Sequence, residues 1–155
     1  MSTNQETIKT FYEAFARKDS ATMAQCYHEE AVFNDAAFVN LNAQQVRAMW
    51  KMLCERGADL KLEYSEVSVE GDKGKCRWDA HYTFSQTRRK VHNIIHAEFE
   101  FKDGKIIKHT DNFDFYRWSR QALGMTGLLL GWTGFLKNKV QQTAKASLDK
   151  YMKQS

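Results

Sequence analysis

The chain has 155 residues, 43% of them apolar and 27% charged, with a formal net charge of +4. That length suits one domain with a real hydrophobic core, and that balance excludes a disordered or strongly polyionic protein. Its basic residues are scattered apart from Arg88-Arg89-Lys90 and a Lys-bearing C-terminal stretch. A solvated turn and a solvated helix face account for both, so neither nucleic acid nor an acidic membrane is an expected partner. The three cysteines, Cys26, Cys54 and Cys76, have neither metal-finger nor redox spacing and read as reduced thiols in a cytoplasmic protein. The opening stretch MSTNQETIKTFYEAF lacks the apolar run of a signal peptide. The most apolar segment, GLLLGWTGFL at 127–136, falls well short of the roughly 20 residues a membrane span needs, so no membrane insertion is expected.

In chain order, Ser2 or Thr3 caps a first helix whose stripe is Ile8, Phe11, Tyr12, Phe15 and Ala16. The chain breaks at Lys18-Asp19, and Asp19 caps a short second helix. AVFND reads as a short strand ending at Asp35. Asn42 caps a third helix carrying Val46, Met49, Trp50 and Leu53, which stops at Gly57. The period then changes to two. Leu60, Leu62 and Tyr64 alternate, and Val67 and Val69 resume the alternation after a slip that reads as a bulge. EGDKGK turns into the clearest alternation of all: Cys76, Trp78, Ala80, Tyr82 and Phe84. SQTRRK turns again, into a strand with Val91, Asn93, Ile95, Ala97, Phe99 and Phe101 on one side. Asp103-Gly104 is a strong hairpin signal.

The last long strand, in KIIKHTDNFDFYRW, places Ile107, His109, Asp111, Phe113 and Phe115 on one side. Two ionisable residues on an otherwise apolar face indicate a pocket. Helices first and then an antiparallel meander define an α+β protein. Residues 119–155 read as a helical extension, with Leu123, Leu128 to Leu130, Trp132, Phe135, Leu136, Val140, Ala144, Leu148, Tyr151 and Met152 as its apolar positions. It covers a groove or a partner subunit, or packs on the sheet.

The order helix, short helix, YHEEAVFND, helix, and a meander ending in DGKIIKHTDNFDF resembles the NTF2-like superfamily, in particular its SnoaL-like and ketosteroid-isomerase-like branch, over residues 5 to 118. The resemblance implies a cone-shaped fold, a strongly bent antiparallel sheet around a small-molecule pocket, and in many members a homodimer formed through the sheet. It implies a cofactor-independent isomerase or cyclase acting by proton transfer on an apolar carbonyl compound. The alternative is a non-catalytic ligand-binding or protein-interaction domain. The isomerases' base, an Asp ending the short first strand, matches Asp35. The acid/base of the polyketide-cyclase branch, on the last strand, matches Asp111. Positions matching His109 and Phe113, with Asn93, Ile95, Ala97 and Phe99 of the neighbouring strand, face the cavity.

Two departures bear on the chemistry. The isomerases polarise the substrate carbonyl with a Tyr and a protonated Asp, and the matching residues here are Phe11 and Ala97. The epoxide-hydrolase branch needs an Arg on the penultimate strand, and HNIIHAEFEF has none. The remaining candidates are Asp111 as base, His109 as its partner or as acid, and Asp35 as second carboxylate. Asn93 is placed to donate to a substrate oxygen. Phe11, Phe15, Trp50, Ile95, Ala97, Phe99 and Phe113 form the wall, and the same rings serve as core if no cavity exists. No cofactor is implied, and no metal: His92 and His96 are four apart on a strand, which puts their Cα atoms about 13 Å apart.

Overall fold

A computed structural model describes residues 3–154. Helices α1 (Thr3–Ala16) and α2 (Ser20–Gln25) lead into strand β1 (Tyr27–Asn34), the short β2 (Leu41–Asn42) and helix α3 (Ala43–Arg56). Strands β3 (Lys61–Glu70), β4 (Lys73–Phe84), β5 (Arg89–Lys102) and β6 (Lys105–Asn112) follow. Helices α4 (Phe115–Leu123), α5 (Met125–Leu130) and α6 (Gly134–Gln154) end the chain. The six strands form one curved sheet in the order β2-β1-β6-β5-β4-β3. The fold is α+β, as the alternation predicts.

Local chemistry sets the element ends. Asp19 accepts from the Thr22 N–H and starts α2. Asn42 and Gln45 exchange side-chain and backbone bonds in a full capping box at α3, which Gly57 ends. Asp103 and Gly104 both take positive φ, 55° and 75°, giving the tight β5–β6 hairpin. The expected Ser2 cap of α1 lies outside the described residues. Of the predicted helix stripes, Ala14 rather than Ala16 is buried in α1, and Leu53 is exposed while Cys54 is buried in α3.

Three sheet features differ from expectation. The meander β3 to β6 is antiparallel, but β1 runs parallel to β6, so the sheet is mixed. That pairing depends on a strand delivered by the helices, which no local periodicity reports. The slip in β3 is, as expected, a bulge, between Ser65 and Ser68 with Glu66 at φ 56°. A second bulge lies in β6: Glu100 faces Lys108 and Phe101 faces Ile106, which leaves Ile107 out of register. Ile106, not Ile107, is therefore fully buried, three residues before His109. β6 also ends earlier than predicted, because Asp114 caps α4 by accepting from the Arg117 N–H. Phe115 is thus a helix residue, not a strand residue.

Helices α1 and α3 pack against the sheet around one large core that holds Phe11, Tyr12, Phe15, Tyr27, Phe33, Trp50, Trp78 and Phe99. A smaller cluster of Val91, Trp118 and Ala122 lies under α4. Helix α4 stands in where β6 has ended: Arg117 Nη1 donates to the His92 carbonyl (2.9 Å), and Gln121 Oε1 accepts the His92 N–H (2.7 Å). The three thiols are buried and free. No helix is long and apolar enough to cross a membrane, among the described residues.

Asn42→Ala removes the side-chain acceptor of the Gln45 N–H, one of the two bonds of the capping box. It should lower unfolding stability by about 1 kcal/mol in urea titration, with no change in the slope.

Candidate functional site

The inner face of β5 carries Val91, Asn93, Ile95, Ala97, Phe99 and Phe101 in strict alternation, all buried. Register sets Phe99 opposite His109 and Ala97 opposite Asp111. Five rings surround His109: Phe99, Phe33, Phe11, Tyr27 and Trp50, at centroid distances from 4.4 to 6.2 Å. Its exposure is 0% and that of Asp111 is 4%.

These groups form one hydrogen-bonded chain. Trp50 Nε1–H donates to the Tyr27 hydroxyl (2.8 Å). That hydroxyl lies 2.8 Å from His109 Nδ1, and His109 Nε2 lies 3.0 Å from Asp111 Oδ1. An indole can only donate, so the Tyr27 oxygen is already an acceptor and gives its own proton to Nδ1. The imidazole proton is then on Nε2 and is donated to Asp111. Trp78 Nε1–H adds a longer bond of 3.4 Å to the same Oδ1. Every donor in the chain meets an acceptor when His109 is neutral and Asp111 ionised. Asp111 Oδ2 stays outside this chain.

Asp35 opens the turn after β1. Its Oδ1 accepts from the Ala37 and Phe38 N–H groups (2.8 and 2.7 Å), leaving Oδ2 outside the turn. Burial pushes its carboxyl up to about 7, with the Asp111 charge adding and the Phe38 and Ala37 N–H groups opposing. Helix α6 lies over the turn, where Gln141 Nε2 donates to the Ala36 carbonyl (3.0 Å). The Asp35 charge also raises the Tyr82 phenol, though burial is the larger cause there. Asp35 thus interacts with both Asp111 and Tyr82.

The predicted positions divide into two groups. Phe11, Phe15, Trp50 and Phe99 pack into the large core around His109 and Trp78. Asn93 lies on β5 between Val91 of the small cluster and Ile95 of the large one. Phe113 and Tyr82 pack against both clusters. Asn93, Phe113 and Tyr82 therefore mark the junction of the two clusters, where the Asp35 charge acts on Tyr82 and the Asp111 charge acts on Asp35.

Sequence reasoning did not single out Tyr27, Trp78 or Tyr82, which act here by contact across strands and leave no local signal. Tyr12, one residue on from Phe11, faces Tyr64, Trp78 and Phe99; it is fully buried, and its hydroxyl has no hydrogen-bond partner among the described residues. Burial, with the Asp111 charge adding, holds that phenol well above its ordinary range, so it remains an O–H donor. On the outer face His81 and His92 stack at 4.1 Å, and His92 bonds Asp79 at 2.8 Å. No group of three or more His, Cys, Asp or Glu that could hold a metal occurs among the described residues.

A curved sheet carrying inward carboxylates under N-terminal helices is the architecture of the NTF2-like superfamily. The family model for the SnoaL-like domain matches residues 8–109, and the chain belongs to that family. No protein of curated function matches. Solved structures share the fold at low identity. An NTF2-like protein of unknown function from Burkholderia pseudomallei is 18% identical, with TM-score 0.67, covering 78% of this chain and 98% of its own. An LEH-like epoxide hydrolase from M. tuberculosis is 16% identical, with TM-score 0.63 and coverage of 83% and 96%. IdmH from Streptomyces antibioticus, described as a candidate polyketide cyclase, is 21% identical, with TM-score 0.65 and coverage of 79% and 99%.

Two stability predictions follow from this geometry. Tyr27→Phe leaves the Trp50 N–H and His109 Nδ1 unpaired in the core, and should cost about 2 kcal/mol or more in urea unfolding. The Asp35 proton is held more tightly in the fold, at about 7, than in the unfolded chain, at about 4. Its stabilising contribution is complete below about pH 4 and is lost as pH rises through about 7. Urea midpoints measured from pH 5 to pH 8 should fall further for the wild type than for Asp35→Asn. Parallel curves would place the Asp35 pKa near its ordinary value.

Proposed function

We propose that the junction of the two clusters binds a small apolar carbonyl compound and moves a proton on it without a cofactor, as an isomerase or cyclase of the SnoaL-like type. The observation that supports this most directly is a second buried carboxyl beside a proton-bearing one. Asp111 receives two N–H donors on Oδ1, which hold the carboxyl in place and leave Oδ2 outside the hydrogen-bonded chain. Asp35 is raised to about 7, so near neutral pH a large fraction still carries its proton. A raised carboxyl beside a second one is a usual means of pairing an acid with a base.

In this reading Asp111 takes a proton from the carbon beside the substrate carbonyl. The C–H electron pair becomes the C=C bond of an enol, and Asp35 gives its proton to the carbonyl oxygen. Returning a proton to another carbon completes an isomerisation. Attack of the enol carbon on a second carbonyl in the same molecule completes a cyclisation. His109 is sealed among rings and acts as a positioning residue, holding Asp111 through Nε2–H while Tyr27 fixes its tautomer. Asn93 and the unpartnered Tyr12 hydroxyl supply donors for the substrate oxygen. They stand in for the Tyr and Asp that Phe11 and Ala97 replace. Phe113 and Ile95 supply apolar wall.

A non-catalytic binding domain is the second reading, favoured by the close ring packing around His109. Homodimerisation through the outer sheet face and a cytoplasmic location remain part of the proposal on the family resemblance.

The test is hydrogen–deuterium exchange at the carbon beside the carbonyl of apolar cyclic ketones and β-keto esters, followed by NMR in heavy water. Wild-type protein should accelerate exchange, with a rate that falls as pH rises through about 7. Asp111→Asn should lower it by about 10²-fold or more. Asp35→Asn, which keeps a neutral donor, should flatten the fall. Ketones that bind, seen as chemical-shift changes, without accelerated exchange would establish the non-catalytic reading.

A further inference from the structure

Helix α5 is built with its small residues inside and its large ones outside. Gly127 is buried against α4, where an added Cβ would collide with the Ser119 carbonyl. An added Cβ at Gly131 would collide with Ser119 Oγ. The two glycines let α5 lie backbone-to-backbone on α4, and this turns Leu128, Leu129 and Leu130 outward. The exposed set continues past the helix: Met125 is 69% exposed, Leu129 61%, Trp132 76% and Phe135 70%. On the single chain these positions of the extension, expected to cover a groove or a partner subunit or to pack on the sheet, are exposed. Patches of this kind on soluble proteins mark contact with a partner or a membrane.

The last four carbonyls of α5 are already satisfied within the fold. A helix of this length ends in carbonyls that usually take bonds from water. Here the Gly127 carbonyl accepts the Gly131 N–H (2.8 Å) and the Leu130 carbonyl accepts the Thr133 N–H (2.9 Å). The Leu128 carbonyl accepts the Tyr116 hydroxyl (3.0 Å), and the Leu129 carbonyl accepts Trp132 Nε1–H (3.0 Å). The Trp132 indole thereby uses its one polar atom on the chain itself. These acceptors can leave water without being stranded.

Its rim is cationic. From Phe115 to Leu148 the chain carries Arg117, Arg120, Lys137, Lys139 and Lys145 and no Asp or Glu. These five cations exceed the +4 of the whole protein, so the remainder is slightly negative. Arg89 closes on the α4–α5 junction: it donates to the Gln121 carbonyl (2.7 Å), and its guanidinium carbon lies 3.0 Å from where a Gly124 Cβ would be. Arg89, Lys90, Arg117, Arg120 and Gln121 line an open depression of about 640 Å³ beside it. A symmetric pairing of two such tips would set cation against cation.

We propose that the α5 tip, Met125 to Phe135, docks shallowly on an anionic lipid bilayer. Leu129, Trp132 and Phe135 enter the headgroup boundary, while Lys137, Lys139 and the arginine-lined depression contact acidic headgroups. Six residues of helix cannot span, and the segment lies on the membrane rather than through it. The assignment is independent of the chemistry proposed for the sheet.

The test is co-sedimentation of the full chain with phosphatidylcholine vesicles, with and without phosphatidylserine. Binding should require phosphatidylserine and weaken as salt is raised. Leu129→Ser with Phe135→Ser, whose side chains are exposed and make none of the hydrogen bonds described above, should lower partitioning about tenfold or more with the unfolding midpoint unchanged. Lys137→Gln with Lys139→Gln should remove most of the phosphatidylserine preference while leaving the fold intact. Absence of wild-type binding to phosphatidylserine vesicles would overturn the proposal. So would binding that the Leu129 and Phe135 changes leave intact, or a wild-type dimer that those changes dissociate.

Discussion

The hydrogen-bonded chain from Trp50 through Tyr27 and His109 to Asp111 is the constraint around which the interior is organised. Four polar side chains are buried together, and each bond forms only if the elements carrying them are in register. Trp50 comes from α3, Tyr27 from β1, and His109 and Asp111 from β6. An unpaired member at this depth would cost about 1 to 3 kcal/mol. The chain therefore selects the parallel β1–β6 pairing over alternatives that would bury equal apolar area.

The same chain runs from the packed rings toward the junction of the two clusters. Around His109 the rings of Phe11, Phe33, Trp50 and Phe99 leave no side of the imidazole to solvent. Beyond Asp111, toward Asn93 and Tyr82, the large core gives way to the small cluster under α4. Asp35 reaches that junction from the turn that α6 covers. Polarity on the inner face of β5 and β6 is thus concentrated at one level of the sheet. This is where a ligand could exchange hydrogen bonds with the protein at low desolvation cost.

The C-terminal helices solve a different problem. β6 ends at Asn112 while β5 extends further, and an uncovered β5 would present unpaired backbone groups. Arg117 and Gln121 of α4 take that place. The glycines of α5 then hold it flush on α4, and the consequence is an outward leucine surface. What stabilises α4 against the sheet also creates the exposed tip.

Much of this was legible in the sequence because it is local. Asp19, Asn42 and Gly57 mark helix ends by their own backbone bonds, Asp103-Gly104 marks a hairpin by its φ values, and period-two alternation marks β4 and β5. His109 and Asp111 were legible as inward residues, since two positions along a strand share a face. Tertiary structure decided the rest. The parallel β1 and the Tyr27–His109 bond depend on partners more than 70 residues apart, and the bulge at Ile107 on how β5 and β6 pair. The apolar pattern of 123–136 was plain, but which side of α5 meets α4 follows from Gly127 and Gly131 fitting where no Cβ fits. Side-chain periodicity identifies a face; only packing against the rest of the chain determines whether that face is buried.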